Sequence, residues 1–117
     1  MEKNWEKQSQ KKLISPQNLE EAVETIRFQK KTIATINGSF DLLHAGHLQI
    51  IYEASKQADV LIIALNSDES IKRYKGEKRP IVQLKQRLQM MSALSFVSFV
   101  TFFDEDDPRK ILSIIKP

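Results

Sequence analysis

A doubly wound α/β domain on a parallel sheet is the fold that this 117-residue sequence predicts. Short β-branched or apolar runs alternate with segments whose apolar residues recur at helical spacing, the pattern of strands joined by crossover helices. One run, Val60 to Leu65, is apolar without interruption, as a strand covered on both faces should be. A composition of 41% hydrophobic and 28% charged residues belongs to a globular protein, not to a disordered or fibrous one. The length allows one domain at most, with enough chain to bury a core.

Residues 1–14 are polar and mixed in charge around a lone Trp5 and read as an N-terminal arm, mobile or forming a frayed helix. The domain proper is expected over 15–117. Ser15-Pro16 supplies an N-cap and a first-turn proline, and Leu19, Val23 and Ile26 then share one helical face. Thr32 to Ile36, TIATI, predicts a strand bounded by Asn37-Gly38. Leu48, Ile51 and Tyr52 predict a helix from about His47 to Gln57, and Val60 to Leu65 a second strand. NSDESIKRYKGEKRP begins as a short helical turn and ends as a loop stopped by Gly76 and Pro80. Leu84, Leu88 and Met91 mark an amphipathic helix, Phe96 to Phe102 a third strand, and Asp107-Pro108 the cap and first residue of a last helix. The order is α-β-α-β-α-β-α. In such sheets ligands sit beyond the carboxyl ends of the strands, which places NGSFD and NSDES on one rim.

No apolar run is long enough to cross a bilayer, and MEKNWEKQSQKK has no apolar h-region, so a soluble, cytoplasmic protein without membrane association is expected. The absence of cysteine excludes disulfides, thiolate nucleophiles and cysteine-based zinc sites. A net charge of +3 is too small to imply nucleic acid.

The stretch NGSFDLLHAGH, Asn37 to His47, concentrates the chemistry. A helix starting near His47 offers free N–H groups and a positive dipole end, an anion site for which phosphate is the natural guest. His44 and His47 can point to the same side and donate to phosphate oxygens. Gly38 permits backbone conformations closed to other residues, and Gly46 lets a ligand or neighbouring chain approach. Other readings stay open here: two histidines three apart are often a surface coincidence, and zinc would need carboxylates to complete its shell, because these are the only histidines in the chain. Asp41 equally suits a turn residue that bonds its own backbone. Lys72, Arg73, Lys75, Lys78 and Arg79 can be a solvated surface or a weak nucleic-acid patch. DEDD at Asp104 to Asp107 resembles a two-metal site superficially, but a helix cap with favourable dipole charges explains it more simply.

NGSFDLLHAGH resembles the HxGH signature of the cytidylyltransferase-like nucleotidyltransferases. NSDESIKRYKGEKRP and the Gln86-Arg87 pair resemble the adenylyltransferase part of ADP-heptose synthases, and the likeness runs from about Lys12 to the last residue. The resemblance implies a Rossmann-like three-layer α/β/α fold and transfer of AMP from ATP, carried with Mg2+, to a sugar 1-phosphate with release of pyrophosphate. It implies catalytic roles for His44, His47 and Lys75, and nucleotide contacts from Gly38, Ser39, Phe40, His44, Gly46, His47 and Arg87. Asp41, Asp68, Lys75 and Arg79 would contact substrate, and the metal would ride on the nucleotide instead of occupying a protein site. A glycerol-3-phosphate cytidylyltransferase-like enzyme and an inactive nucleotide-binding module are the alternatives.

Two departures from the family pattern stand out. Ser39 occupies a position usually held by cysteine, a mild change if its backbone does the work. Family members also continue past Lys116-Pro117 into a fourth strand, a Gly-Asp turn, a fifth strand and a Ser/Thr-rich helix start that grips base and phosphates. The domain is therefore expected to be truncated at its C-terminus, with TIATI as an edge strand prone to pairing, which makes a homodimer an expectation too.

Overall fold

The structure, a computed structural model, describes residues 5–117; residues 1–4 of the expected arm lie outside the described residues. Strands β1 (Ile33–Gly38), β2 (Val60–Asn66) and β3 (Phe99–Phe103) form a parallel sheet in the order β1-β2-β3. The register runs Ile33↔Val60 to Gly38↔Leu65 on one side of β2 and Ile62↔Phe99 to Asn66↔Phe103 on the other.

Every residue of β2 is buried, and its side chains alternate between two cores. Ile62 and Ala64 join Leu19, Val23 and Ile26 of α2 (Leu19–Phe28) and Ile111 and Ile115 of α6 (Arg109–Ile115). Leu61, Ile63 and Leu65 join Ile51 of α3 (Ala45–Ser55) and Met91 of α5 (Leu84–Ser92). The result is a Rossmann-like three-layer arrangement, and it explains why the β2 sequence shows no alternation: a strand with helices on both faces has no wet side. Each of these Leu, Ile, Val and Met side chains contributes roughly 1.5–3 kcal/mol by leaving water.

Most elements begin within two residues of expectation, with three informative differences. First, α4 (Asp68–Lys75) is a full helix where a turn was expected. Ser67 caps it by accepting from the Ser70 N–H, and Ile71 is fully buried beneath it, so one apolar residue anchors an otherwise polar segment. Second, β3 starts at Phe99 instead of Phe96. Val97 is buried and Ser98 exchanges bonds with Leu61, so Phe96 to Ser98 pack as a lead-in that apolar composition alone cannot distinguish from strand. Third, α6 begins at Arg109, yet Asp107 still caps it: Oδ1 accepts the Arg109 N–H at 3.0 Å. The Arg109 guanidinium and N–H hold that carboxyl down at about 2.

Before the 3-10 turn Pro16–Asn18, α1 (Trp5–Gln10) leads into a short extended segment beside β3. The Val100 N–H donates to Lys12 O and the Ile14 N–H to Val100 O, both at 2.9 Å. β1 pairs with β2 alone among the described strands.

Truncating a β2 side chain should test the two-sided burial. Ile63→Ala is expected to lower unfolding stability by about 2–5 kcal/mol in urea titration; a loss under about 0.5 kcal/mol, typical of surface positions, would contradict it.

Candidate functional site

β1 and β2 end side by side, and the segments leaving their carboxyl ends converge. After β1 the chain turns through Ser39 and Phe40 into α3, whose N-cap is His44 in an extended conformation. The Gly46 N–H donates to His44 Nδ1 at 3.1 Å, and the His44 N–H donates to His47 Nδ1 at 3.4 Å, a reciprocal capping box made by two imidazoles. The helix therefore starts two residues before His47, and the sequence rule missed the start because it seeks Ser, Thr, Asp or Asn as cap.

This capping assigns the tautomers. With each Nδ1 accepting, each neutral ring carries its proton on Nε2, turned away from the backbone. The rings stack with centroids 3.8 Å apart and 23° between planes, so the two donors are held together. Burial first, then the nearby His44 and Lys75, lowers the His47 imidazole below its ordinary 6.5. Phe40 meets the His47 ring edge-on at 5.1 Å.

The glycines act otherwise than expected. Gly38 does not adopt the left-handed backbone; Phe40 does, with φ 48°. A Cβ on Gly38 would lie 3.1 Å from the Phe40 ring, so the glycine makes room for the ring that the turn swings back. A Cβ on Gly46 would lie 2.9 Å from His44 Cε1 and 3.0 Å from its Nδ1, so Gly46 clears space for the capping imidazole itself.

The basic cluster divides between α4 and the loop after it. Lys72 faces Glu69 at 3.7 Å, and Arg73 pairs with Asp106 at 2.6 Å and bonds Asp104 O, tying α4 to the acidic segment. Ser67 Oγ also donates to Asp104 at 2.5 Å, so these carboxylates serve as struts and caps. Lys75, the last residue of α4, instead reaches the histidine turn, its Nζ 3.3 Å from Ser39 Oγ.

Asp41 is buried at 4% exposure, and its partners come from the loop after Gly76. Oδ2 accepts from Arg79 Nη1 at 2.7 Å and from the Ile81 N–H at 2.9 Å; Oδ1 accepts from the Val82 N–H at 2.7 Å. Burial pushes this carboxyl up, but the Val82 and Ile81 N–H groups and Arg79 outweigh it and hold it below the ordinary value. The turn-residue reading of Asp41, bonded to its own neighbouring backbone, is thus replaced by bonds across about 40 positions of chain.

Arg87 is also buried, and the structure gives it protein partners where a phosphate was expected. Nε donates to Val82 O at 2.9 Å, Nη1 to Ser39 O at 3.0 Å and Asn66 O at 2.7 Å, and Nη2 to Asp68 Oδ1 at 2.6 Å. Asp68 Oδ1 accepts the Leu84 N–H as well, at 2.9 Å, and the Asp68 side chain remains 33% exposed. The fold thus gathers Gly38, Ser39, Phe40, Asp41, His44, Gly46, His47, Asp68, Lys75, Arg79 and Arg87 around one rim. Sequence reasoning missed the Ile81 and Val82 N–H groups, since a backbone donor leaves no mark on residue type.

A separate apolar cleft of about 250 Å3 lies between α1, α5 and β3, lined by Leu13, Leu84, Leu88, Val100 and Phe102, and contains neither histidine. Among the described residues no group of three or more His, Asp or Glu side chains is placed to hold a metal ion. No described helix is long and apolar enough to cross a membrane.

Residues 35–117 match the family model described as cytidylyltransferase-like. The chain is 44% identical over 99 residues to the "Bifunctional protein HldE" of Helicobacter pylori (strain Shi470), covering 85% of this chain and 21% of that protein. It is 45% identical over 100 residues to the protein of the same name from Campylobacter jejuni (strain RM1221), covering 86% and 22%. It thus spans about a fifth of the length of these curated relatives. The crystal structure of the lipopolysaccharide core biosynthesis protein from Thermoplasma volcanium GSS1 superposes with a TM-score of 0.66 at 31% identity, covering 74% of this chain and 70% of that one.

The imidazole pair has two measurable consequences. The His47 resonances should titrate with a midpoint below 6.5 in NMR, rising when inorganic tripolyphosphate is added, because an anion favours imidazolium. Since the unfolded chain then binds the proton more readily, the His47 contribution to stability is complete above pH 6.5 and declines as pH falls toward the lowered midpoint. Gly46→Ala should displace His44 and lower turnover on the order of 100-fold while the far-ultraviolet circular dichroism persists; unchanged turnover would contradict the clearance role.

Proposed function

The chain belongs to the cytidylyltransferase-like family, and from that premise we propose that it transfers AMP from magnesium-bound ATP to a sugar 1-phosphate of the heptose type, releasing pyrophosphate and forming an ADP-sugar. The observation that carries the reading is the stacked pair of imidazoles whose Nδ1 atoms cap the N-terminus of α3, which assigns a donor Nε2–H to each ring, with Lys75 beside them. N–H donors and cations converging on a helix start suit the oxygen-rich triphosphate, so magnesium is assigned to the nucleotide as part of the substrate.

In this reading an oxygen of the acceptor phosphate attacks the α-phosphorus of ATP, and the bond from that phosphorus to the bridging oxygen breaks. Pyrophosphate leaves with the electron pair. His44 and His47 donate to α-phosphoryl oxygens as charge builds on them, and Lys75 offsets charge on the departing phosphates. Backbone groups of Ser39 and Phe40 line the phosphates. Asp68 is held by Arg87 and the Leu84 N–H through Oδ1, and its exposed remainder is assigned to hydroxyls of the acceptor sugar. Arg87 supports the site from beneath. An ATP-consuming step of this kind is assigned to the cytoplasm.

The choice of sugar 1-phosphate rests on the likeness of residues 66–80 and the Gln86-Arg87 pair to ADP-heptose synthases, supported by the relatives at 44–45% identity. The full gene product, incubated with Mg2+, ATP and candidate sugar 1-phosphates, should release pyrophosphate, and excess EDTA should abolish release. His44→Ala and His47→Ala should each lower kcat by about 100- to 1,000-fold, as loss of one charge-stabilising donor does. No release with any sugar 1-phosphate, or faster turnover of CTP with glycerol 3-phosphate, would overturn the assignment.

A further inference from the structure

We propose that Asp41 is a positioning residue that, together with Arg87, locks the loop after α4 against the histidine turn, so that both halves of the phosphate site stand assembled before substrate arrives. The inference rests on the transferase reading for its consequence and on geometry for its content. Val82 is gripped at both ends: its N–H donates to Asp41 Oδ1 at 2.7 Å, and its carbonyl accepts from Arg87 Nε at 2.9 Å. The neighbouring Ile81 N–H donates to Asp41 Oδ2 at 2.9 Å, although the Ile81 side chain is 62% exposed. Arg87 closes the circuit, since its Nη1 donates to Ser39 O, two residues before Asp41, and to Asn66 O at the end of β2.

The circuit joins three segments: the turn after β1, the end of β2 and the loop before α5. A loop with Gly76 at φ 98° and exposed Glu77 and Lys78 has little else to fix it. Arg79 Nη1 is bonded to Asp41 at 2.7 Å while the Arg79 side chain is 37% exposed, so the same carboxylate also tethers a partly exposed guanidinium to the turn. Asparagine cannot substitute, since Asp41 accepts at both oxygens and an amide would turn an NH2 toward an N–H donor. A preformed site avoids the ordering cost of assembling it around each substrate.

Amide hydrogen exchange reads the lock without nucleotide. In the wild-type protein the Ile81 and Val82 amides should exchange at least about tenfold more slowly than those of Glu77 and Lys78, a tenfold change corresponding to about 1.4 kcal/mol. Equal exchange would overturn the proposal whatever any variant does. Asp41→Asn should speed the Ile81 and Val82 amides about tenfold while those of Ile62 and Ile63 keep their rates; acceleration of all four alike would mark a general stability role and overturn it. Arg79→Gln should leave the Ile81 and Val82 amides protected. The KM for magnesium-bound ATP should rise about tenfold in Asp41→Asn with kcat changed less than threefold, and the reverse split would count against positioning. Failure of the wild-type protein to turn over ATP would fall on the transferase reading and leave exchange to judge the lock.

Discussion

The rim of this molecule depends on one buried guanidinium. Arg87 sits at 1% exposure, where an unpaired charge would cost many kcal/mol, and it persists because three carbonyls and a carboxylate surround it. Each carbonyl belongs to a different segment of chain, so satisfying the charge brings the turn after β1, the end of β2 and the loop before α5 to fixed positions. Removing one member of such a buried set costs about 3–5 kcal/mol, because the remaining partner is left charged and unmatched.

The histidine turn is stabilised by the groups that give it chemistry. His44 and His47 satisfy backbone N–H groups at the start of α3 through Nδ1, and that use of Nδ1 turns both Nε2–H groups outward. Cap and proposed anion site are one structure. The two requirements also share a condition: a ring protonated at Nδ1 loses the cap, so the neutral rings best suited to hold the helix start are those with a single donor facing the site. Gly46 makes this possible by leaving space that a methyl group would fill.

Charges elsewhere on the rim are arranged by pairing. Arg73 and Ser67 hold the acidic segment from Asp104 to Asp106, which keeps those carboxylates beside α4 and engaged. Lys75 and Arg79 lie on the other side, toward the turn, so the basic run that is continuous in sequence is sorted in space into structural and site-facing members. The sorting arises from α4 being a helix: Lys72, Arg73 and Lys75 leave it in different directions.

The sequence alone determined the three strands and their crossover helices, the burial of β2 on both faces and the rim at which the polar turns meet. These are legible because periodicity, β-branching and turn chemistry act over a few residues, within the reach of a local pattern. Only the tertiary structure decided that Gly46 clears His44, that Phe40 and not Gly38 takes the left-handed backbone, and that Asp41 and Arg87 have protein partners. Those partners lie 38 to 48 positions away along the chain for Arg79, Ile81, Val82 and Ser39, and all but Arg79 engage through backbone groups. Nearly every residue carries an N–H and a carbonyl of the same kind, so residue type cannot announce which one a buried charge will find; only the packing of β1 against β2, and of α4 and α5 over them, brings that donor or acceptor within reach.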